Sequence, residues 1–135
     1  MSATCAIDRL GDCLVALLET GSATDVIACL APGALLWHND DKHDVDAVAG
    51  VEAVVGLHAL VDDVRVEVVE RTALPGGFLQ RYVIHGTVKS TGASLAAHHC
   101  IVVRTDGALI DRIDEYVDPT LTTQLGLAAA QEVSP

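Results

Sequence analysis

Aromatic and basic residues are scarce in this sequence. Among 135 residues only four are aromatic, and eight Lys and Arg stand against nineteen Asp and Glu, which gives a net charge of −11. Nucleic-acid binding needs a basic patch that neutralises phosphates, so this composition argues against a nucleic-acid partner. It argues equally against attachment to an anionic membrane surface. With so few aromatic side chains, the core must be built from Val, Leu, Ile and Ala.

Long apolar runs and targeting signals are also missing. No apolar run approaches the roughly 18 residues that span a bilayer. Near the start, Asp8 and Arg9 interrupt the region where a signal peptide needs a basic segment followed by an unbroken apolar stretch. We therefore expect a cytoplasmic protein without a membrane partner.

The four cysteines match no zinc or redox motif. They are Cys5, Cys13, Cys29 and Cys100, and none forms a CxxC pair. We expect reduced core residues, because cytosolic thiols stay reduced and free cysteine is usually buried. Gly-rich phosphate loops and a GxSxG elbow are also absent. The sequence therefore predicts neither a metal site nor a cofactor.

The length and the apolar content predict a single domain. Half of the residues are apolar, and a chain of 135 residues is of ordinary size for one compact unit. We expect one domain over residues 1–135, with its core over about 5–125 and a tail over 126–135.

The apolar pattern changes along the chain from a helical period to a strand period. The predicted order is a helix over 5–19, a helix from Ser22 or Thr24 to Leu30, a strand over 34–39, an acidic loop, a helix over 50–61, strands over 64–68, 78–89, 93–104 and 108–117, and a weak helix over 120–130. The later strands are joined by short loops, so they are expected to form an antiparallel meander. The segregation of helices before strands predicts an α+β fold.

The last predicted strand places one carboxylate among apolar residues. Alternation puts Ile113, Glu115 and Val117 on one face, which is expected to be the inner one. A carboxylate there must pair with a cation, become protonated, or line a cavity that keeps some water. A raised carboxyl pKa in an apolar pocket suits a general acid or base near neutral pH. Glu115 is therefore a candidate catalytic residue, and a structural ion pair, for example with Arg81, is the alternative.

The strand over 78–89 carries a second group of candidates. One face holds Leu79, Arg81, Val83 and His85, and the other holds Phe78, Gln80, Tyr82 and Ile84. The pattern leaves open which face is the inner one. If Arg81 faces inward, its guanidinium can hold a carboxylate in two-point contact. Otherwise Arg81 faces solvent.

Two further places supply candidate binding residues. Trp37 and Asn39 share a face of the first strand and suit the wall and one polar contact of a small-molecule pocket. The alternative is that Trp37 is a core residue and Asn39 a turn former. His98 and His99 point to opposite faces of their strand, so one of them can line a cavity.

The order of elements and three motifs resemble the nuclear transport factor 2-like superfamily, and within it the SnoaL-like branch. The motifs are ALLWHND at 34–40, GVEAVVG at 50–56 and TDGALIDRIDEYVDP at 105–119. The resemblance covers about residues 5–125 and extends to limonene-epoxide hydrolase and ketosteroid isomerase. It implies a cone of three N-terminal helices on a curved, mainly antiparallel sheet that encloses a pocket.

The resemblance assigns roles to some residues and matches only part of each enzyme's pattern. The family's acidic residue before the last-strand Tyr falls on Glu115, and the aromatic-x-Asn of the epoxide hydrolases falls on Trp37 and Asn39. Their strand Arg falls on Arg81, whereas their second carboxylate falls on Val83. The isomerase pattern also departs here, because the first helix has no Tyr.

We therefore expect a small-molecule enzyme of the cyclase, isomerase or hydratase/hydrolase kind, acting on a hydrophobic substrate. The expected catalytic residues are Glu115 and Arg81, and the expected substrate-binding residues are Trp37, Asn39, Val83, His85 and His99. The alternatives are a non-catalytic protein that binds a lipophilic ligand and a structural dimerisation domain. A homodimer is expected, because both faces of residues 98–103 carry apolar groups and the outer face of an open sheet needs a cover.

Overall fold

The computed structural model describes residues 3–119, with side chains from residue 6 onward. Within this range the elements are α1 Ala3–Thr20, α2 Thr24–Ala28, β1 Leu30–His38, β2 Asp44–Asp46, α3 Ala47–Val54, a 3₁₀ helix Val55–Ala59, β3 Val61–Leu74, β4 Gly77–Val88, β5 Ser94–Asp106 and β6 Leu109–Val117. The helix predicted over 120–130 and the tail over 126–135 lie outside the described residues. No helix in residues 3–119 is both long and apolar enough to cross a membrane.

The six strands form one mixed sheet in the order β2-β1-β6-β5-β4-β3. Strands β3 to β6 are antiparallel neighbours, whereas β1 runs parallel to β6. The register pairs Tyr82 with His99 across β4 and β5, and Ile101 with Glu115 across β5 and β6. It also pairs His38 of β1 with Glu115. Four strands therefore bring polar residues close together on one face.

The hydrophobic core lies between α1 and the inner face of the sheet. In α1, Leu10, Leu14 and Leu17 are buried, and their spacing of three and four residues places them on one side of the helix. The sheet contributes buried residues at alternate positions, including Phe78, Tyr82, Ile84, Leu95, Ala97, Ile101, Val103, Ile110 and Ile113. Burial of each large aliphatic side chain is worth about 1.5–3 kcal/mol. This layer fixes which face of each strand is the inner one.

A polar cluster also attaches α1 to the sheet. The Arg71 guanidinium donates to the Gln80 side-chain oxygen at 2.6 Å and contacts Asp8 at 3.1 Å and Asp12 at 3.0 Å. Gly11 lies directly over this group, and a Cβ there would overlap Arg71. The absence of a side chain at Gly11 thus lets the helix approach the sheet at this point.

The predicted α+β class is confirmed, and the sheet is mixed and curved with six strands. The prediction missed β2, which was read as part of an acidic loop. All three of its residues are exposed and two are aspartates, so the sequence carries no apolar alternation there.

Several element boundaries also differ from the prediction. The second helix ends at Ala28 because Leu30 already begins β1. The third predicted helix is an eight-residue α-helix followed by a 3₁₀ turn, and its N-terminus is capped by Asp46, whose carboxylate accepts from the Ala49 N–H at 3.1 Å. How far these helices enclose a binding pocket stays a prediction.

Candidate functional site

Glu115 lies on the inner face of β6, two residues beyond the buried Ile113. Its side chain is only 18% exposed. Alternation in the last strand places it there, since side chains at i and i+2 share a face. A charged group in this position needs partners, and three other strands supply them.

Three side chains converge on the Glu115 carboxylate. His38 Nε2 of β1 is 2.6 Å from Oε1, and the Tyr82 hydroxyl of β4 donates to Oε2 at 2.9 Å. His99 Nδ1 of β5 lies 3.6 Å from Oε2 and 3.5 Å from the Tyr82 hydroxyl oxygen. We refer to His38, Tyr82, His99 and Glu115 as the Glu115 cluster.

The cluster keeps the Glu115 carboxylate ionised. Burial by itself would raise the pKa of Glu115, but the hydrogen bonds and charges of His38 and His99 outweigh burial and hold this pKa well below its usual range. Of the three possibilities that the sequence pattern left open, the structure combines two: the carboxylate is paired, and it also lines a cavity. Its partners are histidines and a tyrosine, and Arg81 is not among them.

The pKa values of His38 and Tyr82, which bond to Glu115, are shifted as well. The hydrogen bond to Glu115 raises the pKa of His38 against the opposing effect of burial. Burial, reinforced by the Glu115 charge, raises the pKa of Tyr82 well above its usual value. Tyr82 therefore stays a hydroxyl donor at neutral pH, and His38 holds its proton to higher pH than a free imidazole.

One nitrogen of the cluster lacks a partner. The His99 side chain is 4% exposed, and its Nε2 is buried without a hydrogen bond to any described residue. Leaving a buried polar atom unpaired costs about 1–3 kcal/mol. Such an atom is unusual in a core where other polar groups, such as Gln80, are satisfied.

Glu115 lines two cavities. The smaller, of about 50 Å³, lies between α1 and the sheet and has mostly Leu, Val and Ile in its wall. The larger, of about 370 Å³, is bounded by α3, the 3₁₀ helix, Leu18 of α1, the C-terminal ends of β1 and β6, and the central parts of β4 and β5. The apolar part of its wall includes Leu57, Leu60, Ile84 and Val117. The polar part consists of His38, His99, Glu115, Asp40 and Asp118. The walls of both cavities are therefore largely apolar, and each also contains a few polar side chains, Glu115 among them.

The candidates on one face of β4 lie away from these cavities. Tyr82 and Ile84 point inward, so Arg81, Val83 and His85 point to the outer face. The suggested pairing of Arg81 with Glu115 is not formed: Arg81 is about half exposed and contacts Glu70 at 3.4 Å. His85 contacts Glu67 at 2.9 Å, also outside the cavities. The sequence left the faces ambiguous because both carry apolar residues.

Trp37 and Asn39, which were expected to bind substrate in the pocket wall, make other contacts in the structure. Trp37 lies on the outer face, where its ring contacts Tyr116 edge-on with ring centroids 5.4 Å apart. Asn39 joins β1 to β6, since its backbone N–H donates to the Glu115 carbonyl at 3.0 Å and its side-chain oxygen accepts from the Val117 N–H at 2.9 Å. Asn39 thus positions the backbone of Glu115, and neither residue is among those that line the two cavities.

Of the two adjacent histidines, His99 faces inward and His98 is exposed. The sequence reasoning missed His38 and Tyr82 as members of the site. The signal that identifies them is alternation: His38 shares its face with the buried Leu36, and Tyr82 shares its face with the buried Phe78. No group of three or more His, Cys, Asp or Glu side chains in the described part of the chain is arranged to hold a metal ion.

No protein-family model matches the sequence, and no curated protein is significantly similar to it. Solved structures do match it in fold. IdmH, a candidate polyketide cyclase from Streptomyces antibioticus, is 18% identical, with 88% of this chain and 97% of that chain covered and a TM-score of 0.73. The chain has a nuclear transport factor 2-like fold.

Two more solved structures match this fold, and their names point to activities other than that of a polyketide cyclase. An LEH-like epoxide hydrolase from M. tuberculosis is 17% identical over 96% of each chain, with a TM-score of 0.66. A protein with a ketosteroid isomerase-like fold from Catenulispora acidiphila, in complex with trimethylamine, is 13% identical, with 87% of this chain and 92% of that chain covered and a TM-score of 0.71. At these identities the similarity establishes the fold and leaves the reaction to be argued from the site.

Proposed function

We propose that this protein is a SnoaL-like enzyme that performs acid/base chemistry on a hydrophobic small molecule in the larger cavity, without a cofactor. The observation that carries the proposal is a partly buried, ionised carboxylate that lines the cavity and is shared by two histidines and a tyrosine. Perturbed titratable groups that meet in a cavity are typical of catalytic sites. Two solved proteins with this fold, one described as a polyketide cyclase and one as an epoxide hydrolase, support the proposal of a SnoaL-like enzyme.

The lowered pKa of Glu115 makes an adjacent imidazole the better proton carrier. A carboxylate that stays ionised to low pH is a weak base near neutral pH, whereas histidine titrates there. In the proposed step, the bond between hydrogen and a carbon next to a carbonyl breaks. The proton passes to an imidazole of the Glu115 cluster, and the electron pair moves to the carbonyl oxygen. The carboxylate stabilises the imidazolium, which then returns the proton to another atom of the substrate.

The position of Val83 favours this chemistry over epoxide hydrolysis. The resemblance places the second carboxylate of the epoxide hydrolases on Val83. This residue lies on the outer face of β4, so it brings no carboxylate to the cavity. Glu115 is the one carboxylate of the Glu115 cluster, while Asp40 and Asp118 lie elsewhere in the cavity wall. A cluster with one carboxylate suits a cyclase or isomerase that moves a single proton. A pocket protein without catalysis remains the alternative, but a carboxylate within the cavity wall favours the enzyme.

Deuterium exchange tests this proposal without knowledge of the natural substrate. We expect the protein to accelerate exchange at the carbon next to the carbonyl of 2-tetralone in D₂O, followed by proton NMR. Glu115→Gln should lower the rate at least tenfold, because the imidazolium loses its counter-charge. The matched control is Glu67→Gln, which changes another Glu–His pair outside the cavities. No acceleration by the wild-type protein, or equal rates for the two variants, would contradict the proposal.

A homodimer is part of the same proposal. Leu35 and Tyr116 are partly exposed on the outer face of the sheet, and Trp37 lies between them in the sheet. A second copy would cover this face. Light scattering should then give twice the 14.1 kDa chain mass, and the mass of one chain would refute the dimer. The cytoplasmic location remains a prediction.

A further inference from the structure

The two imidazoles of the Glu115 cluster differ in their exposure. Both belong to residues that line the larger cavity. The His99 side chain is only 4% exposed, and its Nε2 is buried. The His38 side chain, in contrast, is 27% exposed. A molecule in the larger cavity can therefore reach the imidazole of His38 more readily than that of His99.

The bond to Glu115 decides which nitrogen of His38 is free to react. Its Nε2 lies 2.6 Å from Glu115 Oε1, and an ionised carboxylate only accepts hydrogen bonds. Nε2 must therefore carry a hydrogen, so the lone pair of a neutral His38 is on Nδ1. Among the described residues Nδ1 has no hydrogen-bond partner, and it is not one of the buried unpaired atoms. This nitrogen is therefore accessible.

The end of β1 holds His38 in place beside β6. Asn39, the next residue, bonds to β6 twice: its N–H donates to the Glu115 carbonyl at 3.0 Å, and its side-chain oxygen accepts from the Val117 N–H at 2.9 Å. The Lys42 N–H donates to the His38 carbonyl at 2.9 Å and closes the turn that follows. The backbone on both sides of the contact between His38 and Glu115 is thus fixed, as a catalytic side chain requires.

The surroundings of His38 favour its protonated form. Its hydrogen bond to Glu115 raises its pKa, and nearby negative charges raise it further. The helices contribute no charged side chain to the cavity wall, and no Lys or Arg of the described residues lines it. Besides Glu115, the titratable side chains around His38 and its cavity are Asp40, Asp41, Asp118, Tyr82 and His99. An imidazolium formed at His38 is therefore stabilised by negative charge.

We propose that His38 is the catalytic base of this site and that its Nδ1 takes the proton from the carbon next to the substrate carbonyl. The inference rests on the proposed function and assigns its step to one imidazole. The bond between carbon and hydrogen breaks, the proton joins the lone pair of Nδ1, and the electron pair moves to the carbonyl oxygen. The hydrogen on Nε2 stays bonded to Glu115, which orients the ring. Nδ1 then returns the proton to another atom of the substrate.

Deuterium exchange of 2-tetralone tests this assignment with a pair of variants. His38→Gln keeps an N–H donor for Glu115 but has no nitrogen that takes up a proton, so the exchange rate should fall at least a hundredfold. The matched control is His85→Gln, which changes a histidine that also pairs with a glutamate, at 2.9 Å and outside the cavities. It should leave the rate unchanged.

The pH profile separates a base from a residue with a structural role. A base works in its neutral form, so the rate above the uncatalysed background should rise with pH and level off above the pKa of His38. The bond to Glu115 holds this pKa above its usual value of 6.5. NMR titration of the ring protons in D₂O measures it directly, and the resonance missing from His38→Gln identifies His38. The kinetic and NMR midpoints should coincide.

Each outcome decides for or against His38. A wild-type rate in His38→Gln, or a kinetic midpoint that differs from the NMR pKa of His38, overturns the inference and leaves the proposed enzyme intact. If circular dichroism shows that His38→Gln does not fold, the two midpoints of the wild-type protein decide, with His38 assigned from triple-resonance spectra. If the wild-type protein does not accelerate exchange, the proposed function fails and this inference fails with it.

Discussion

Replacing Glu115 by Gln removes the charge on which the donors of three strands converge. His38 and Tyr82 lie within hydrogen-bond distance of its two oxygens, at 2.6 and 2.9 Å. A hydrogen bond to a charged group is worth about 1.5–3 kcal/mol. Gln keeps one accepting oxygen, so the variant loses one such bond and places an NH₂ group against another donor. We expect a loss of about 3 kcal/mol in the free energy of unfolding.

The pH dependence of this loss follows from two opposite pKa shifts. Glu115 has a lowered pKa in the folded state, so its contribution is present above its ordinary value of 4.5 and disappears as pH falls through the lowered pKa. His38 has a raised pKa, so its contribution is present below its ordinary value of 6.5 and disappears as pH rises through the raised pKa. The difference between wild type and variant should therefore be largest between pH 4.5 and 6.5.

Thermal unfolding followed by circular dichroism measures this difference. At pH 5.5 we expect Glu115→Gln to lower the Tm by about 12 °C, given about 4 °C per kcal/mol for a domain of this size. Glu67→Gln is again the control, because its exposed pair with His85 is worth at most about 1 kcal/mol. The reasoning is refuted if Glu115→Gln is as stable as the wild type at pH 5.5, or if the difference does not shrink by pH 9.

Two further changes test a hydrogen bond of the Glu115 cluster and the close packing of β4 against β5. Tyr82→Phe removes the hydroxyl that donates to Glu115, and should lower the unfolding free energy by about 1–2 kcal/mol; an unchanged urea midpoint would contradict this. Gly77→Ala places a Cβ against the Val103 carbonyl, which the hydrogen bonds between β4 and β5 hold in place, and should lower the free energy of unfolding by about 3 kcal/mol. The control is Gly56→Ala, whose Cβ meets open space and should change the free energy of unfolding by less than about 0.5 kcal/mol. Equal effects of the two glycine changes would contradict the packing argument.

Alternation in β6 was sufficient to predict the face of Glu115. Its neighbours Ile113 and Val117 are apolar, whereas Asp114 and Tyr116 suit water, so only one assignment of the faces buries the apolar residues. The class of fold followed in the same way from the change of period along the chain. Such signals depend on each strand alone, which is why they can be read from the sequence.

The partners of Glu115 depend on several strands at once and were not predictable in this way. His38 reaches it only because β1 inserts beside β6, a parallel pairing between strands far apart in sequence. Trp37 was expected in the pocket wall because it shares a face with Asn39, yet its neighbours Leu36 and His38 are the ones that point inward. The direction of Arg81 could not be read from the sequence because Leu79 and Val83 make its face as apolar as the other one. In the structure Val83 is almost fully buried although it lies on the outer face.

The parallel pairing of β1 with β6 has a consequence for how the protein folds. The bond from the Val117 N–H to the Asn39 side chain closes a separation of 78 residues, and it lies beside the contact of His38 with Glu115. Closing a loop of this length is slow compared with forming the hairpins of β3 to β6, which join neighbours in the chain. During synthesis, β3 to β5 can pair as soon as they leave the ribosome, whereas β1 can pair with β6 only after β6 has been made. We therefore expect the candidate site to be assembled late in folding.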